Sequence, residues 1–173
     1  MAQEISATHP LCRFFRGLTE YTFQAELGIA DPRLIDYVSD LLARFVPAAG
    51  PLVLEPGAWE ATTLTGLLAE ATAATNDEQR HQCFRSAGDI ALFWTGVFPE
   101  VLGRMRLKNS PDLVLDVRIQ GKRSYHLASR FADLHDEALL QRLSQEFEVC
   151  ALGLAKVRSE WEQMPPVQAL WSA

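Results

Sequence analysis

Cysteine is scarce in this chain of 173 residues. The three cysteines, Cys12, Cys83 and Cys150, are far apart and odd in number, with no CxxC pair and no zinc-ligand spacing. A disulfide framework and a zinc module are therefore not expected, and buried free thiols in a reducing cytoplasm are. Long hydrophobic runs are missing too. None approaches the ~20 residues of a membrane-crossing helix, so no membrane association is expected. The first ten residues, MAQEISATHP, have neither a basic region nor an apolar one, so no secretory signal is read there. There is no P-loop, no GxGxxG and no GxSxG. Positive charge is in deficit, with a net of −6, which disfavours nucleic acid and anionic surfaces as partners. The basic groups that exist are gathered: residues 104–130 carry a net of +5, against −11 elsewhere. No interleaved aromatics of the kind that stack bases occur over 104–124.

What is present is helical patterning. Hydrophobic content of 48% with 22% charged residues describes a folded globule. Between His81 and Leu102, apolar residues fall at Cys83, Ala87, Ile90, Trp94 and Val97, steps of four and three, with Phe84, Ala91 and Phe98 widening the stripe. That period is α-helical, and a helix apolar on most of its circumference is surrounded by others. Asn76 is placed to cap it, with Asp77 and Glu78 in its positive first turn, and Pro99 ends it. Gly88 and Gly96 each disfavour the helix by about 1 kcal/mol relative to Ala, which suggests close approach of a neighbour.

Before this stretch, a helix from about Thr8 to Gly28 and a second opening at Asp31-Pro32 and stopping at Pro47 are expected. On the second, Leu34, Val38, Leu41 and Phe45 read as the buried stripe, with Ser39, Ala43 and Arg44 opposite. Residues 47–57 read as a loop and 59–75 as a third helix with a thin layer of Thr and Ala side chains. After it, 113–125 is ambiguous. Alternation suggests a hairpin turning at Gly121, but a lone hairpin is marginal, so helix is favoured, ended at Gly121 and restarted at Lys122. The last helix, 136–163, shows a heptad seam of Leu140, Leu143, Phe147, Cys150, Leu154, Val157 and Trp161.

The fold expected is all-α: one domain over 1–173, a bundle of five or six main helices around a buried central helix, with 1–7 frayed and 164–173 an apolar tail. Candidate chemistry is thin. Asp89 interrupts the apolar central helix and reads as an ion pair with Arg85 or as a carboxylate lining a pocket with Arg85, Tyr125 and His126. Glu78 and His81 form a single ExxH string, whereas bundle di-metal sites use two plus further carboxylates, so no metal and no cofactor are expected. The aromatic faces either fill the core or line a cavity. The leading functional reading is a non-enzymatic cytoplasmic interaction or assembly protein. It is expected to form a homodimer through Leu154, Val157 and Trp161 and the tail residues Leu170 and Trp171. The alternatives are a binder of a small apolar or anionic ligand near Asp89, and an enzyme whose residues converge only in the fold.

Overall fold

The computed structural model describes residues 10–49, 59–102 and 113–164. Among these residues there are helices and no strands, so the all-α reading holds and the hairpin is excluded. The helices are α1 (Pro10–Tyr21), α2 (Pro32–Ala49), α3 (Trp59–Ala73), α4 (Asp77–Val97), α5 (Leu113–Arg130), α6 (Leu134–Gln145) and α7 (Phe147–Gln163). Residues 99–102 are helical again. Thr8, the frayed start expected at 1–7, the part of the expected loop beyond residue 49, residues 103–112 and the expected tail with Leu170 and Trp171 lie outside the described residues.

The punctuation works as side-chain chemistry dictates. The Asp31 carboxylate accepts from the backbone N–H of Arg33 at 2.9 Å, satisfying a donor at the start of α2. Asn76 does the same for Gln79 at 2.8 Å on α4, and Asp133 for His135 and Asp136 on α6. Past α1 the chain widens into a π-helical turn, Thr22–Glu26. It closes at Gly28, whose φ of 68° favours glycine, with the Ile29 N–H bonded to the Phe23 carbonyl at 2.8 Å.

Helix α4 packs against α2, α3, α5 and α7, and thirteen of its 21 residues are buried. The two glycines on it serve the approach expected of them. A Cβ on Gly88 would stand 2.7 Å from the Tyr125 ring of α5, and one on Gly96 would stand 2.6 Å from Leu154 of α7. At its end, Arg158 of α7 donates to the carbonyl of Val97 and pairs with Glu100 at 2.6 Å, a cation at the negative end of a helix.

Four boundaries and one face differ from expectation. Pro47 lies within the last turn of α2 and does not stop it. Gly121 does not end a helix: α5 runs through it, because a Cβ there would press within 2.6 Å of the Phe147 ring and 2.7 Å of Ala91. Glycine at 121 is a packing requirement. The third helix ends at Ala73, two residues early. The long C-terminal helix is divided at Glu146 (φ −100°, ψ 21°), which raises the number of main helices among the described residues to seven. On α2, Ser39 and Ala43 are buried although they were read as lying opposite the core.

The division at Glu146 also decides the fate of the heptad seam. Leu140 and Leu143 on α6 serve the packing against α5, while α7 turns onto α4 and α1. Leu154 and Val157 are fully buried within the chain, and Trp161 meets the Phe15 ring edge-on, centroids 5.3 Å apart. Several helices share the seam, so Leu154 and Val157 offer no surface to a partner.

Candidate functional site

The buried ionisable cluster is built by three helices. Asp89 on α4 is 2% exposed. Its Oδ1 accepts from the hydroxyl of Tyr37 on α2 at 2.6 Å and from that of Tyr125 on α5 at 2.8 Å. Its Oδ2 accepts from the guanidinium of Arg44, one turn past Leu41 on α2, at 3.2 Å. Behind the carboxylate, the Tyr37 oxygen accepts from Arg85 Nε at 3.2 Å while the guanidinium lies 5.0 Å over the Tyr37 ring. Arg85 reaches on to Asp136 of α6 at 3.8 Å, where Arg33 also arrives.

The arrangement follows from packing. Glycine at 88 leaves room for the Tyr125 ring to lie across α4, which brings its hydroxyl to the carboxylate one residue on. Three donors satisfy Asp89, and a buried carboxylate demands such saturation. Burial, reinforced by the negative charge of Asp89, pushes both Tyr37 and Tyr125 above the ordinary tyrosine range. Both hydroxyls thus stay protonated and donate, which suits a structural clamp and not proton transfer near neutrality.

The expected pairing of Arg85 with Asp89 is therefore indirect, running through the Tyr37 oxygen, and the direct cation is Arg44. Tyr125 joins Asp89 as expected. His126 does not: it is exposed on the other side of α5, and its backbone carbonyl accepts from Ser129 at 2.7 Å. Glu78 and His81 also part company. Glu78 is exposed and accepts from Gln82 at 2.6 Å. His81, three residues on, is 8% exposed, with Nδ1 3.0 Å from the Ala128 carbonyl. The thiols are free. Burial, and next the charge of Glu146, pushes Cys150 up to about 12.

Sequence reading missed Tyr37 and Arg44. They stand seven residues apart, so both project from one face of α2, and Arg85 and Asp89 stand four apart on α4. Polar groups at helical spacing on two amphipathic helices were the available signal.

A different kind of place lies between α3, α4 and α5. Leu68, Thr72, Phe84, Gln120, Arg123, Ser124 and Leu127 line a groove of about 200 Å³. No known protein family matches this sequence, no curated protein is similar to it, and no solved structure matches the fold.

Proposed function

We propose that this protein is a non-enzymatic interaction or assembly protein that pairs with a second copy of itself. The carrying observation is the outer face of α7. Val149 and Leu152, one turn apart, are 39% and 52% exposed, and Ile119 on α5 is 48% exposed. The Lys122–Glu148 ion pair, 2.9 Å, ties α5 to α7 beside them, and Arg118 adds a further positive charge near Glu148. An apolar strip rimmed by both charge signs is suited to two-fold apposition, where the basic rim of one copy meets the acidic rim of the other. This face replaces Leu154 and Val157 as the contact surface. The residues with site chemistry support the non-enzymatic reading, since Asp89, Tyr125, Arg85 and His81 each hold a partner in their own chain. Helix α4 is read as the central helix of a one-domain bundle, supported by its four helix contacts. The free thiols support a cytoplasmic home, and no helix among the described residues is long and apolar enough to cross a membrane.

Light scattering over a concentration series tests the pairing. A mass rising toward two chains, returned to one by Leu152→Glu with no change in melting temperature, is the expected result. A one-chain mass throughout refutes it.

A further inference from the structure

We propose that the groove between α3, α4 and α5 binds a small monocarboxylate with an apolar body, an aryl or short alkyl acid. Its walls are of two kinds. Leu68 of α3, Phe84 of α4 and Leu127 of α5 supply apolar surface. Gln120, Arg123 and Ser124 supply donors, and the three lie on one face of α5 at spacings of three and four residues.

Two of those donors have no other occupation. Ser124 is wholly buried, and its hydroxyl has no hydrogen-bond partner. Buried hydroxyls are ordinarily paired; Thr19, Thr22 and Thr95 are unpaired too, but Ser124 is the one of the four that borders the groove, where a ligand oxygen would pair with it. Arg123 is exposed at the groove and, among the described residues, enters no ion pair. Seven described arginines (Arg16, Arg33, Arg44, Arg80, Arg85, Arg142 and Arg158) are paired, whereas Arg123, like Arg13, Arg118 and Arg130, is not, and of these four Arg123 is the one on the groove wall. A guanidinium offers a planar fork that matches a carboxylate.

Orientation follows from Thr72. Its hydroxyl hydrogen already goes to the Leu68 carbonyl at 2.8 Å, so it is not free to donate to a ligand. A carboxylate is drawn instead to the donors on α5, so the apolar body lies toward α3. Size follows from volume. The space is about 200 Å³, and a dry cavity of about 150 Å³ takes up benzene. One ring with a short acid arm fits within that volume.

The probe is phenylacetate, titrated into the full chain and followed by backbone amide chemical shifts. Saturable shifts centred on residues 68, 84, 120, 123, 124 and 127 are expected. Arg123→Glu, a surface change that leaves the fold intact, should weaken binding at least tenfold, and Ser124→Ala several-fold. The neutral analogue 2-phenylethanol should bind at least tenfold more weakly than phenylacetate, and acetate should not saturate. Linear shifts without saturation overturn the proposal. So does equal binding of the acid and the alcohol, or binding indifferent to Arg123→Glu. Repeating the titration on Leu152→Glu separates this site from self-association.

Discussion

Ser124 and Tyr125 are neighbours in sequence, and they mark two flanks of α4 that treat polarity in opposite ways. On the Tyr125 flank, long side chains from α2 and α5 converge on Asp89, and both oxygens of its carboxylate find partners. On the Ser124 flank, α5 faces α3, whose Thr and Ala side chains are short, and a groove with an unpaired hydroxyl remains. The contrast shows that a buried polar residue alone says little about function. What matters is whether the neighbouring helix carries side chains long enough to reach it.

Breaking the filled flank should have the largest effect. Asp89→Ala leaves two tyrosine hydroxyls and the partly exposed Arg44 without their acceptor, and a loss of about 3–5 kcal/mol is expected in urea unfolding. Trp94→Ala, which hollows the core beside it, should cost a similar ~3–5 kcal/mol. A loss below about 0.5 kcal/mol in either would place that residue outside the packed interior.

A smaller effect is expected at the crossing that sets the two flanks. Gly121→Ala forces a methyl group against Phe147 and Ala91 and should destabilise by about 1–3 kcal/mol, read from the shift in melting temperature. An unchanged melting temperature would show that α5 and α7 are free to separate there.

Alkaline titration sharpens the same comparison. Tyrosines in the unfolded chain lose their protons near pH 10, whereas burial and Asp89 hold those of Tyr37 and Tyr125 to higher pH. The unfolded state therefore releases protons first. The stabilisation is complete below about pH 10 and declines as pH rises above it. Cys150 acts in the same direction. Urea midpoints from pH 8 to about pH 11 should fall in the native chain and fall less steeply in Tyr37→Phe/Tyr125→Phe. Parallel declines would remove the tyrosines from the explanation.

Much of this was legible in sequence, because it depends on local spacing. The 4-3 stripe of α4, the Asp31-Pro32 start and the Asn76 cap are short-range chemistry, and each appears where expected. The partners of Asp89 were not legible. Tyr37 and Arg44 lie 52 and 45 residues away, and only the crossing of α2 over α4 brings them together. Gly121 misled because a glycine that ends a helix and one that admits a ring from another helix look alike in a single chain. The seam misled for a related reason: its coverage by α1, α4 and α5 is a property of the fold and not of the heptads.

The most direct test sets the two neighbours on α5 against each other in urea unfolding. Tyr125→Phe removes a hydroxyl that Asp89 uses, so it should destabilise by about 1–3 kcal/mol, and in the Asp89→Ala background most of that loss should vanish. Ser124→Ala removes a hydroxyl with no partner, so it should be neutral or stabilising by up to about 1 kcal/mol. Equal losses for the two substitutions, or a Tyr125→Phe loss that persists without Asp89, would contradict the account of a saturated flank beside an unsaturated one.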